Sequence, residues 1–264
     1  MSWAVEELKL FFLIFSLSMV RISAAFVLMP YLHKTTLGSS MIKNSILMSF
    51  AIILYPLVSA QYGQITMNGI FLFSIILKEA LLGVLIGFIA NIIFWAVESA
   101  GFIIDNQRGT TMASALNPMS GSQTSPLAIF LNQTLITLVF VSGIFLTLLS
   151  LIYQSYITWP IFSFFPTLNE SVPVFFLHYF DFLLELAVLL AGPVVIAMFL
   201  SEFGFALVSR FAPQLNVFIL SMPIKSMVAI GVLCVYIRIA MDFSLAELLE
   251  LDATFDSLYQ LLGP

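Results

Sequence analysis

The chain has 264 residues, 61% of them hydrophobic and 9% charged, with a mean hydropathy of +1.10 and a formal net charge of −5. Soluble domains carry about 25% charged residues, so a water-soluble monomer is excluded; a multi-pass membrane protein, or a subunit enclosed by other apolar subunits, fits. No basic patch points to nucleic acid, and the single Cys234 excludes an intrachain disulfide and a cysteine-based metal cluster.

The first apolar segment covers residues 8–32 and is long enough to span a bilayer. Arg21 lies near its middle, where a charge must face protein or water and find a partner, and Pro30 ends or kinks the helix. Glu6 and Glu7 stand beside Lys9 where a secretory signal would need a basic start, so insertion without cleavage is expected. Residues 33–45 are a polar connection with Lys34 and Lys43. Residues 46–60 are a short apolar segment near Pro56, marginal for spanning and suited equally to a re-entrant or buried helix. A polar turn follows at 61–68.

Residues 69–97 are apolar but hold Lys78 and Glu79, which point about 100° apart on a helix and should meet different neighbours. Gly83 and Gly87 share a face and allow close approach of another helix, from this chain or another. Then comes the longest polar interval, residues 98–126, with Asp105, Asn106, Gln107, Arg108, Gly109, Met112, Asn117 and Pro118. A polar stretch of this length, punctuated by Gly and Pro, reads as a functional loop. Its apolar residues, Met112 among them, favour a loop folded inward on protein.

Residues 127–153 read as the next apolar helix. Trp159-Pro160 and Phe164-Phe165-Pro166 form an aromatic, proline-broken stretch of interfacial character. Two further apolar segments, 174–208 and 215–241, are joined by SRFAPQ and read as a helical hairpin, bent at Gly192-Pro193 and Pro223. Residues 243–262 place leucines, Phe255 and Tyr259 on roughly one helical face. The five acids of residues 242–264 account for the net charge, since the remaining nine acids balance nine Lys and Arg. An acidic amphipathic helix disfavours anionic lipid, so this tail is expected to lie on a protein partner.

No catalytic constellation is present: no Ser/His/Asp set, no phosphate loop and no dinucleotide fingerprint. His33 and His178 lack ligand-spaced neighbours, so no metal, cofactor or enzymatic activity is expected. Arg21, Lys78, Glu79, Glu98, Asp105, Arg108, Glu185, Glu202, Arg210, Lys225 and Arg238 are charges within or beside apolar runs. They mark a proton or substrate path, or they pair structurally between helices.

The stretches ESAGFIIDNQRGTTMASALNP, SQTSPL and LSEFGFALVSRFAPQLNVFILSMPIKS resemble the SctT/FliR/SpaR family of type III secretion export-apparatus proteins, in its injectisome, YscT-like branch. The likeness is strongest over residues 78–132 and 192–230. It implies an all-α, membrane-type subunit of a helical export gate. The implied division is an SctR-like part at 1–175, an SctS-like hairpin at 176–241 and the acidic tail at 242–264. It further implies a luminal plug at about 105–125, SctR and SctS as partners, SctU and SctV as neighbours, unfolded secreted proteins as cargo, and a place in the inner membrane within the secretion-system basal body. Subunit contacts are then expected at Lys78, Glu79, Gly83, Gly87, Glu202, Arg210, Pro213, Asn216, Phe218, Pro223 and Lys225. The reading from another class is a proton-coupled secondary transporter, which would show two related halves; here the halves differ.

Overall fold

A computed structural model describes residues 2–32, 38–62, 69–109, 125–163, 171–211 and 217–262, with side chains described outside 2–5, 217–219 and 260–262. His33, Lys34, Met112, Asn117, Pro118, Phe164, Phe165, Pro166, Pro213 and Asn216, and the side chain of Phe218, lie outside the described residues.

Among the described residues every regular element is helical. In chain order these are α1 (Ser2–Leu28), a single 3-10 turn (Pro30–Leu32), α2 (Ser40–Gln61), α3 (Gly69–Arg108), α4 (Pro126–Ser142), α5 (Ile144–Thr158), α6 (Ser171–Phe211), α7 (Val217–Leu249) and α8 (Leu251–Leu262). Five helices are long and apolar enough to cross a membrane, or six spans if the bent pair α4–α5 counts as one. The α1 helix stops just before Pro30, which cannot donate to the helical ladder. Beyond that span, burial pushes the Tyr31 phenol well above its ordinary pKa.

Three segments depart from the sequence expectation. The short segment 46–60 is the second half of a 22-residue helix, because Ser39 caps α2 well before the apolar run, its Oγ accepting from Met41 N at 3.1 Å. Four side chains of α2, Leu47, Ala51, Leu54 and Val58, are buried along one stripe. Residues 127–153 are not one helix. Gly143, at φ +82°, breaks them into α4 and α5; only a residue without Cβ adopts that backbone freely. Pro193 and Pro223 lie inside α6 and α7, which are helical on both sides of them. Finally, α7 runs on to Leu249, since no Gly or Pro interrupts it after Gly231.

The tail corrects a further expectation. Only Leu251–Leu262 forms the terminal helix, and it packs on its own chain. Leu251, Phe255 and Leu258, at i, i+4 and i+7, are buried, while Asp252 and Asp256 face outward. The Tyr259 hydroxyl donates to Leu151 O at 2.8 Å, and its ring lies 5.0 Å from that of Trp159. The apolar face that invited a partner is satisfied internally.

The chain divides into two compact units. The first comprises Met1–Ile92, Ser142–Leu177 and Glu250–Pro264; the second comprises Ile93–Val141 and His178–Leu249. This differs from the division at 175 and 241 drawn from sequence, because the 40-residue α3 belongs to both units. In the first unit α3 packs against α1 through Gly83 and Gly87. A Cβ on Gly87 would stand 2.6 Å from Ala25 O. In the second unit α3 meets the start of α4 in the same way, where a Cβ on Gly101 would stand 2.5 Å from Ala128 Cα.

Candidate functional site

Two polar constellations stand out, one in each unit. In the first unit, Arg21 and Glu79 are completely buried. The guanidinium grips the carboxylate with two bonds, Nε to Oε2 at 2.7 Å and Nη2 to Oε1 at 2.9 Å. Its remaining protons go to Ser155 O at 2.7 Å, Ser155 Oγ at 3.1 Å and Trp159 O at 2.8 Å. The Tyr156 ring lies 4.2 Å from the guanidinium carbon, and its hydroxyl donates to Ser18 O at 2.7 Å. Lys78 Nζ reaches Glu79 Oε1 at 3.1 Å and donates to the carbonyls of Pro160, Ile161 and Ser163 at 3.1, 2.6 and 3.1 Å.

Two cations thus share one anion, and five main-chain carbonyls at and beyond the C-terminal end of α5 complete the balance. Ser155 O also accepts from Trp159 N at 2.9 Å and Pro160 O from Ser163 N at 3.3 Å, and carbonyls at a helix C-terminus carry the negative end of its dipole and favour cations. The arrangement corrects three expectations. Lys78 and Glu79 do touch each other, because the flexible lysine stem carries its ammonium back across the intervening angle. Lys78, Glu79, Gly83 and Gly87 are buried against their own chain, which leaves them no surface for a subunit contact. The Trp159-Pro160 stretch is not an exposed interfacial belt: Trp159 is buried, and both residues offer carbonyls to the cations.

The second constellation closes the long polar interval. Helix α3 continues through Arg108, so Asp105, Asn106, Gln107 and Arg108 lie in its last turns rather than in a loop. Gly109, at φ +87°, ends the helix with its N–H on Asn106 O at 3.1 Å. Asp105 is 2% exposed. Its Oδ1 accepts from Arg108 Nη1 at 2.9 Å, and its Oδ2 accepts from Ser125 Oγ at 2.6 Å and Leu127 N at 2.9 Å. Ser125 Oγ in turn accepts from Ala128 N at 3.1 Å. One carboxylate therefore ties the end of α3 to the beginning of α4 and satisfies N–H groups that the helix start leaves open. Near it, Asn132 Nδ2 donates to Glu98 Oε2 at 3.3 Å.

The role of Ser125 escaped the sequence reading, although Ser-Pro before an apolar run is a legible helix start, with serine at the cap and proline at the first position. Ser155 and Tyr156 carry no such local signal. We expect Asp105→Ala to lower the unfolding free energy in detergent by about 2 kcal/mol, because it strips a charged acceptor from a cap and an arginine. Asp105→Asn should lose less, since its Oδ1 still accepts. Equal midpoints for wild type and Asp105→Ala in thermal unfolding would contradict this role.

Elsewhere in the second unit, Lys225 Nζ meets Glu202 Oε2 at 2.7 Å and ties α7 to α6 within the hairpin. The Glu202 carboxylate is 41% exposed and the lysine side chain is mostly covered. Lys225 is thus engaged inside the chain rather than presented to a subunit. Glu185, Arg210 and Arg238, expected among buried charges, lie at the surface, as does Pro223.

Comparison with known proteins sets this architecture among export proteins. The family described as bacterial export proteins, family 1, matches residues 12–251. The Yop proteins translocation protein T of Yersinia pestis is 50% identical over 241 residues, covering 91% of this chain and 92% of that protein. The surface presentation of antigens protein SpaR of Salmonella typhimurium is 30% identical over 223 residues, covering 84% and 81%. The flagellar biosynthetic protein FliR of Bacillus subtilis is 31% identical over 159 residues, covering 60% and 61%.

Proposed function

Because this chain belongs to family 1 of the bacterial export proteins, we infer that it is a structural, non-enzymatic subunit of a type III secretion export gate in the bacterial inner membrane. It works within the secretion-system basal body beside SctR and SctS subunits, with SctU and SctV as neighbours, and unfolded secreted proteins pass through the assembly. The observation that carries this reading is the 50% identity with the Yersinia translocation protein along nearly the whole of both chains. Long apolar helices with large uncovered faces suit a subunit enclosed by lipid and by other subunits.

The stretch at about 105–125 contributes the luminal plug. Support comes from its flanks: Asp105 at the end of α3 is bonded to Ser125 and Leu127 at the start of α4. The buried cations around Glu79 are bonded to carbonyls of their own chain and serve the scaffold rather than a proton relay.

Deleting Thr110 to Gly121 is expected to leave the complex with SctR and SctS intact and to increase the leakage of small solutes through it. The measurement is solute efflux from vesicles holding the purified complex. Wild-type leakage from a correctly assembled deletion variant would remove the plug from this account.

A further inference from the structure

The buried charge node depends on the end of α5 and the residues that follow it. Ser155 O, Ser155 Oγ and Trp159 O take Arg21, and the carbonyls of Pro160, Ile161 and Ser163 take Lys78. Such bonds weaken steeply when an acceptor turns or moves away. Yet α5 is only 15 residues long and stops at Thr158, and helix ends fray unless something ties them down.

The terminal helix α8 supplies the tie, in the same unit as α5 and the node. Leu251, Phe255 and Leu258 are its buried anchors. Tyr259 then touches α5 at two places. Its hydroxyl donates to Leu151 O at 2.8 Å, and its ring meets that of Trp159 edge-on at 5.0 Å. Leu151 keeps a lone pair for it, since a carbonyl oxygen has two. The Phe255 ring stands 6.2 Å from the Tyr259 ring, on the other side of one helical turn of α8. Leu151 and Trp159 are eight residues apart, about two turns, and Ser155 lies midway between them. Trp159 is the pivot: its N–H donates to Ser155 O at 2.9 Å, its carbonyl accepts from Arg21 Nη2 at 2.8 Å, and its ring rests on Tyr259. The Tyr259 hydroxyl goes to a main-chain carbonyl rather than to a charge, so it acts on the node through α5.

We propose that α8 is a strap that locks the buried charge node, with Tyr259 as its positioning residue. Tyr259 brackets the last two turns of α5 and so fixes the carbonyls that meet Arg21 and Lys78. The strap follows α1, α3 and α5 in the chain, so it closes on a node whose parts are already made. Its loss loosens the node without removing any of the node's charges. Asp252 and Asp256 face outward and take no part in the lock.

Hydrogen exchange of the full chain in mild detergent, read peptide by peptide by mass spectrometry, tests the strap. Tyr259→Ala is expected to speed exchange over residues 155–163 at least about tenfold, while α6 in the second unit exchanges as in the wild type. Tyr259→Phe keeps the ring and loses the hydroxyl, so its effect should be smaller and confined to the same residues. Unchanged exchange over 155–163 in both variants overturns the strap, and so does an equal acceleration in both units, which is general destabilisation. A second measurement asks whether Tyr259 acts through the carbonyls. Tyr259→Phe should lower the thermal midpoint in the otherwise wild-type chain, and by no more than about half as much in Lys78→Met, where the ammonium that depends on the carbonyl positions is gone. Equal shifts in the two backgrounds are the mark of independent packing and overturn the positioning role.

Discussion

Arg21→Ala is expected to leave the protein unable to accumulate as a folded chain in the membrane. The substitution removes five hydrogen bonds and strands the Glu79 carboxylate where no water reaches it. Breaking a buried ion pair from one side costs about 3–5 kcal/mol, a large fraction of the 5–15 kcal/mol by which a domain is stable. Lys78 still contacts Glu79 at 3.1 Å, but it is shared with three carbonyls and offers the carboxylate a single point contact. Arg21→Lys should remain severe, because a lysine cannot hold a carboxylate with two parallel bonds and also reach Ser155 and Trp159. Arg21→Met combined with Glu79→Gln should recover part of the loss by removing the stranded charge. Membrane yield and the thermal midpoint in detergent measure all three. A midpoint for Arg21→Ala within a few degrees of wild type would show that α1, α3 and α5 hold together without this node.

Gly87→Leu is expected to be as damaging for a different reason. A Cβ there meets Ala25 O at 2.6 Å and Ala25 Cα at 2.9 Å. These are backbone atoms inside α1 and cannot swing aside as a side-chain tip can. Even Gly87→Ala must push α1 away from α3. Overpacking a close contact costs about 1–3 kcal/mol and more when backbone must move, and here the displacement also pulls Arg21 from Glu79. The expected result is a drop of many degrees in thermal midpoint, with Gly87→Leu worse than Gly87→Ala. Gly231→Ala is the matched control: nothing lies within 4 Å of the added methyl, so the midpoint should hold or rise, as alanine is the better helix former. Equal effects at the two glycines would mean that the α1–α3 crossing is loose.

The two constellations treat charge in different ways. At Arg21 the cations and the anion are sealed among helices, so they specify which helices meet and in what register. At Asp105 the carboxylate stands at a junction, joining the end of one helix to the start of the next. It fixes the base of the interval that distinguishes this chain from a plain bundle. Asp181, Glu185 and Arg210 on α6 are the third case, charges left at the surface of the chain.

Much of the architecture was readable from local chemistry. Apolar runs of bilayer length and Pro30 at the end of α1 depend on near neighbours in sequence, and each stands where expected. The family likeness rested on linear motifs and was equally legible. Tertiary structure alone decided where the charges went. Lys78 and Glu79 read as charges in an apolar run with no partner named by the sequence, and α1 and the stretch after α5, 58 and 82 residues away, enclose them. Nothing local distinguishes them from Asp181 and Glu185, which no other helix covers. The bend at Gly143 is a similar case, since a lone glycine within an apolar run reads as helix unless a neighbour makes the chain turn there. The fate of the tail likewise depended on a distant surface: its periodicity defined the apolar face, and Leu151 and Trp159 determined what that face would cover. Periodicity and chain breaks are properties of adjacent residues, so the sequence by itself determined the class, the helices and their ends. Burial is a property of what arrives from elsewhere, so only the folded chain decided which charges became scaffold and which stayed exposed.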